Sequence, residues 1–241
     1  MKKISIIATG ALFMLLSGSY GQDLNTILDE HFKASGTEKM AKIESQVITG
    51  KNIVTSMGME MPFVITTARP NKIRVESSFQ GSKIIQTFDG TTGWMLSPIL
   101  GSNEPKELSE TEMKSLKNQG DMDGILWNYE AKGHVVELAG EETVNGSPAY
   151  HVKITTSEGD VVNHYIDKTS YLLVKVSTRQ MMGGAEAEVE NIMKDYRMVK
   201  GINVAHSIDT RMNDQTLTTI KIEKVDFNKE VDDSLFGKPT L

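Results

Sequence analysis

Residues 59–98 read MEMPFVITTARPNKIRVESSFQGSKIIQTFDGTTGWMLSP, and the fold class is decided there. Met59, Met61, Phe63 and Ile65 alternate with Glu60, Pro62 and Val64, so an extended segment carries one apolar face. Ile73, Val75 and Phe79 share a second face with Ser77, against Lys72, Arg74, Glu76 and Ser78. Gly58, Gly81 and Asp89-Gly90 punctuate these runs with residues that favour tight antiparallel hairpins. The pattern predicts strands over 46–57, 60–68, 72–79, 82–88 and 92–96. Pro62 has no backbone N–H to donate, which suggests an edge position or a bulge.

The period of two returns downstream. Strands are expected over 134–142, 148–156, 160–167, 171–180, 185–199, 203–212 and 216–226, with hairpin turns at Asn145-Gly146 and Glu158-Gly159. Between the two series, residues 98–132 break the rhythm. Ser109-Glu110-Thr111-Glu112 is a capping box that opens a short helix carrying Met113 and Leu116, and a second helical piece is expected over Met122 to Tyr129. Upstream, Leu24, Ile27, Leu28, His31 and Phe32 make one helical stripe over 23–35, ended by Gly36. A second short helix is expected from Thr37 to Ile43, and one helical turn near 232–236. The expected class is mainly β (α+β). About twelve strands form a single large curved antiparallel sheet, an incomplete barrel, with N-terminal helices and a helical insertion covering its concave face.

Met1-Lys2-Lys3, an apolar run over residues 4–16 and Ser19-Tyr20-Gly21 match the three parts of a cleaved secretory signal. The expectation is a leader over 1–21, cleaved after Gly21, and one domain over 22–241 that resides outside the cytoplasm. The 241 residues are 39% hydrophobic and 24% charged, an ordinary globular balance that argues against disorder, collagen and a polytopic membrane protein. The net charge of −6 argues against nucleic-acid binding. With no Cys, disulfides, thiolate metal sites, Cys nucleophiles and an N-terminal lipid-modified Cys are excluded.

Motifs for catalysis are missing from the sequence. No H-E-x-x-H, G-x-S-x-G, Walker loop or helix-opening G-x-G-x-x-G occurs beyond the leader, so no catalytic residue, metal ligand or cofactor is assigned. His151 and His164 could face each other across a hairpin, and Glu186, Glu188 and Glu190 share one strand face that could hold a cation or be plain solvent surface. An enzyme would have to assemble such groups in space. The chemical bias is instead apolar and flexible. Twelve of the fourteen methionines lie beyond residue 21, clustered at Met57, Met59, Met61 and at Met181-Met182. Such side chains fill core gaps or line adaptable binding surfaces.

Arg69-Pro70-Asn71-Lys72-Ile73-Arg74-Val75, followed by Asp89-Gly90-Thr91-Thr92-Gly93-Trp94 and Pro98, resembles the periplasmic outer-membrane lipoprotein carriers of the LolA/LolB-like superfamily. Tyr165-Ile166-Asp167-Lys168 and the closing Val231-Asp232-Asp233-Ser234-Leu235-Phe236 are similar to the same group. The resemblance implies an incomplete antiparallel barrel that carries acyl chains of lipoproteins or related lipids across an aqueous compartment toward the outer membrane. It implies an inner-membrane donor complex and an outer-membrane acceptor as partners, and a monomer. Arg69 matches the arginine that latches the helical lid, and its alternative is a strand-end surface charge. On this reading Met61, Phe63, Ile65, Trp94 and Leu96 line the cavity, and Met113, Leu116 and Trp127 belong to the lid. Each could instead sit in the sheet–helix core. The absence of Cys departs from the lipid-anchored receptors of the group. The competing reading on the same fold is a non-enzymatic sensory or protein-interaction module of the cell envelope.

Overall fold

The computed structural model describes residues 23–182 and 184–240. The leader expected over 1–21 lies outside them.

Helix α1 (Leu24–Ser35) is capped by Asp23, whose carboxylate accepts the Thr26 N–H at 2.9 Å. It ends at Gly36, where φ is +79° and the N–H returns to the Phe32 carbonyl. A Cβ on Gly36 would come within 2.5 Å of the Gly201 carbonyl oxygen, so glycine serves both the turn and a close approach. A four-residue helix α2 (Thr37–Met40) follows. The expectation of a helix running to Ile43 was three residues too long.

Six strands then form sequential hairpins: β1 (Ser45–Val54), β2 (Met59–Ala68), β3 (Lys72–Phe79), β4 (Ser82–Phe88), β5 (Gly93–Ser97) and β6 (Ser102–Glu107). The sixth replaces what the sequence presents as loop. Pro62 pairs with Lys51 of β1 but lies beyond Phe63–Ala68, the stretch of β2 that pairs with β3, so it has no β3 partner. It is an edge residue locally, inside an interior strand.

Helix α3 (Glu110–Gly120) carries the expected capping box, with the Ser109 N–H donating to Glu112 at 2.8 Å and the Glu112 N–H donating back to Ser109 Oγ. Residues 122–133 form consecutive turns, not the second helix expected over 122–129. Left-handed backbone at Gly124 and Asn128 interrupts helical geometry there. The second series comprises β7 (Val135–Val144), β8 (Ser147–Thr155), β9 (Val161–Asp167), β10 (Leu173–Met182), β11 (Ala185–Val199), β12 (Ile202–Met212) and β13 (Gln215–Phe227), before a 3₁₀ turn at Asp233–Phe236.

All thirteen strands join one antiparallel sheet in the order β6-β5-β4-β3-β2-β1-β13-β12-β11-β10-β9-β8-β7. The architecture is mainly β and open: β6 and β7 are the two edges. The chain leaves one edge at β6 and re-enters at the other, so the segment carrying α3 must cross a face of the sheet. Seven inter-strand steps separate β3 from β9, about 34 Å in a flat sheet at ~4.8 Å per step. Yet α3, about 10–12 Å across, packs on β3 and ion-pairs through Lys114 with Glu158 in the β8–β9 turn. The sheet therefore curls around the helices, and the face they occupy is concave.

Three apolar clusters lie on that face. Ile27 and Leu28 of α1 pack with Leu126 against Tyr150, Val152, Ile154 and Ile166. Ile43 and Met122 meet Ile202, Val225 and Phe227. Leu116 of α3 meets Ile73, Phe88 and Leu108. Each fully buried Leu, Ile or Phe contributes about 1.5–3 kcal/mol by leaving water.

Candidate functional site

Strand register decides which of the candidate lining residues share a surface. Phe63 pairs with Ser77 and Ile65 with Val75, and Ile65 packs into the α3 cluster. Met61, Phe63 and Ile65 are thus on the concave face, all half-buried. Phe63 lies against Gly50 of β1, where an added Cβ would meet its ring at 2.8 Å and the Lys221 carbonyl at 2.2 Å. Glycine there lets an aromatic ring lie flat across the sheet.

Trp94 and Leu96 are elsewhere. Thr87 pairs with Trp94 and Ile85 with Leu96, while Phe88 and Gly93 face α3. Trp94 and Leu96 therefore belong to the convex face, and the expectation that they line one cavity with Phe63 does not hold. The C-terminal segment covers that convex patch. Thr87 Oγ1 donates to the Gly237 carbonyl at 2.9 Å, Arg74 donates to the Leu235 carbonyl at 3.0 Å, and Phe236 is fully buried. The Lys238 ammonium stands 4.9 Å from the centre of the Trp94 ring.

The lid residues also divide. Met113 and Leu116 pack on β3–β5. Trp127 lies in the turns after α3 and meets Phe32 of α1 edge-on, with ring centres 5.0 Å apart. Trp127 thus packs at α1, apart from Met113 and Leu116.

Arg69, at the end of β2, ties these parts together. Its Nη2 donates to the carbonyl of Met40, the last residue of α2, at 3.1 Å and its Nε to the Ile43 carbonyl just beyond at 2.7 Å. Nη1 and Nη2 also form a two-pronged pair with Asp123, in the turns following α3, at 2.8 and 2.5 Å. This planar fork suits Arg and no other cation. Both side chains are about one-fifth exposed. The hydrogen bonds from Arg69 hold the Asp123 carboxyl below the ordinary Asp range, and the pairing raises the Arg69 guanidinium. Asp123 has no periodic signal in the sequence, because a lone acid in a turn reads as solvated surface.

A second fastening lies on the other side of α3. Lys114 reaches Glu158 at 2.7 Å and Asp160 at 2.5 Å in the β8–β9 turn. Both carboxylates raise the Lys114 pKa. Lys132 braces the same region by donating to Asp121 at 2.6 Å and to the Gly124 carbonyl at 2.7 Å.

Between α3 and strands β9–β10 lies a pocket of about 300 Å³, with Ile125, Val162, Val176 and His164 in its walls and Lys114, Asp121, His134, Glu158 and Asp160 at its margins. His151 does not join His164. Val152 pairs with His164 and His151 with Tyr165, so the two imidazoles point to opposite faces. His151 lies on the convex face, 2.9 Å from Asn163 and near Glu142. Glu190 and Glu186 there pair with Lys175 and Arg179. No cluster of three or more potential metal-ligating side chains occurs among the described residues. His31 is a core residue of α1 that donates Nδ1–H to the Tyr171 carbonyl at 2.8 Å, and burial lowers its pKa.

The architecture, an open sheet curled round a helical lid, is shared with solved structures across nearly the whole chain. A Vibrio parahaemolyticus domain described as an outer membrane lipoprotein-sorting protein matches with a TM-score of 0.59 at 12% identity, covering 88% of this chain and 97% of that one. A LolA superfamily protein from Nitrosomonas europaea matches with a TM-score of 0.58 at 13% identity, covering 89% and 97%. A DUF1329 family protein from Desulfovibrio piger matches with a TM-score of 0.59 at 11% identity, covering 87% and 96%. The fold is that of the LolA-like half-barrels. A family model described as "-like: Uncharacterized protein" matches residues 77–241, more than half of the chain, and the chain belongs to that family. No curated protein matches the sequence.

Proposed function

We propose that the protein is a non-enzymatic carrier in the cell envelope that shelters acyl chains of lipoproteins or related lipids on its concave face. The observation that carries this reading is the latched lid. α3 packs on an apolar surface formed by Ile65, Ile73, Val75 and Phe88, with Met61 and Phe63 on the same strand face as Ile65, and Arg69 fastens the turns after α3 to the end of α2. An acyl chain in water gains about 0.8 kcal/mol for each CH₂ that it buries, so a dry concave host is what such a ligand requires. The lid is held by hydrogen bonds and ion pairs as well as by Leu116 and Leu126, and it adds no strand to the sheet, so it can open without unfolding the sheet.

In this reading residues 22–241 act as one half-barrel domain in the periplasm after removal of the leader. The monomer receives its cargo from an inner-membrane donor and delivers it to an outer-membrane acceptor. The fold shared with lipoprotein-sorting and LolA-superfamily domains supports the reading. No described helix is long and apolar enough to cross a membrane. The test is uptake of a fluorescent N-palmitoylated peptide. Saturable uptake by the wild type that is lost in Phe63→Asp, with circular dichroism unchanged, supports the carrier. No uptake by the wild type refutes it.

A further inference from the structure

The pocket beneath the Lys114 end of α3 differs in chemistry from the apolar surface around Phe63. Its walls are apolar at Ile125, Val162 and Val176, with one imidazole, His164, set among them. His164 Nδ1 is sealed from solvent without a partner, and no hydrogen bond among the described residues engages either ring nitrogen. A buried polar nitrogen left unpaired is costly, so a partner that reaches the ring is favoured. Burial, with His31 nearby on α1, pushes the His164 pKa down to about 3, so the ring is neutral at physiological pH. It offers one donor and one acceptor and no charge.

The margins restrict the ligand further. Lys114 stands between Glu158 and Asp160, and Lys132 pairs with Asp121, so the carboxylates of these pairs outnumber the ammonium groups and disfavour an anionic head. His134 is also engaged, accepting the Ser157 N–H at its Nδ1. The floor continues along the concave face: Val176 pairs with His164 on one side and with Asn191 on the other.

We propose that this pocket is a head-group subsite, in which the His164 imidazole hydrogen-bonds the uncharged hydroxyl, ester or amide head of an acylated ligand. The proposal rests on the carrier reading, since the chain attached to that head would run along the concave face past Val176 and Asn191. It selects neutral acyl lipids over fatty-acid anions, which would bring an unpaired charge beside Glu158, Asp160 and a neutral ring.

The probes are monododecanoylglycerol and dodecanoate, titrated into the wild-type protein, His164→Phe and Phe63→Asp. Imidazole ¹⁵N resonances and affinity are the two readouts. The wild type should prefer monododecanoylglycerol, and that ligand should shift the His164 resonances. His164→Phe keeps the ring volume and should bind it five- to tenfold more weakly, about the value of one net hydrogen bond, with dodecanoate affinity unchanged. If both ligands bind His164→Phe as they bind the wild type, or if the His164 resonances stay still while Phe63→Asp abolishes binding, the subsite is wrong and the carrier stands. If neither ligand binds the wild type, both fail.

Discussion

At one end of the lid, Arg69 makes four hydrogen bonds to Asp123 and to two backbone carbonyls, among groups about one-fifth exposed. At the other end, Lys114 meets Glu158 and Asp160, with the three side chains 39%, 61% and 52% exposed. Both are ion pairs between a lid and a wall, yet their physics differs. A partly dry, two-pronged Arg pair keeps its geometry and resists salt, whereas exposed Lys pairs trade freely with water and counterions. The comparison teaches that a lid need not be uniformly loose. It can be hinged where the clasp is dry and released where the clasp is wet, and the His164 pocket lies under the wet side.

The most disruptive way to break this contrast is Arg69→Leu. It strands Asp123 and uncaps the Met40 and Ile43 carbonyls, and should cost about 2–4 kcal/mol in urea denaturation. A loss under about 0.5 kcal/mol would mean that the two ends are alike. Leu116→Ala should cost about 2–4 kcal/mol through the cavity left against Ile73 and Phe88. That would show how much of the lid's attachment is packing.

Acid sharpens the contrast. The folded Asp123 pKa is depressed, so its stabilising contribution is complete above the ordinary Asp value of 3.8 and is lost as pH falls through the folded value. The wild type should lose stability on that acid limb more steeply than Arg69→Leu, as measured by melting temperature against pH.

The smallest effect on stability is expected from Lys114→Ala, which should leave the melting temperature nearly unchanged. It should nevertheless speed amide hydrogen exchange within residues 110–120, and raised salt should do the same to the wild type but not to the variant. Equal exchange in the two proteins would place the opening elsewhere.

Much of this was legible in the sequence. Period-two alternation located every described strand but β6 within about three residues, because those strands carry a face that must be buried, whereas Ser102–Glu107 has no such alternation. The Ser109–Glu112 box declared the start of α3 through purely local hydrogen bonds. What could not be read was sidedness. The β4–β5 turn sets Trp94 opposite Thr87, and both faces of these strands are covered, one by α3 and the other by residues 233–240. Apolar residues therefore occur on both, and the pattern cannot say which is concave. Long-range pairs were equally silent. Arg69 was visible through its motif, but Asp123, 54 positions away, and the Lys114 partners 44 and 46 positions away obey no local period. His164 was visible only as half of a pair with His151, from which the sheet separates it.

The most direct test of the account is native mass spectrometry of the purified protein, with lipid extraction of any adduct. The account predicts an acylated adduct on the wild type and on Trp94→Asp, whose side chain is on the convex face, and none on Phe63→Asp. A wild type that is consistently empty, or an adduct lost in Trp94→Asp and kept in Phe63→Asp, would contradict it and favour a sensory or protein-interaction role for the same fold.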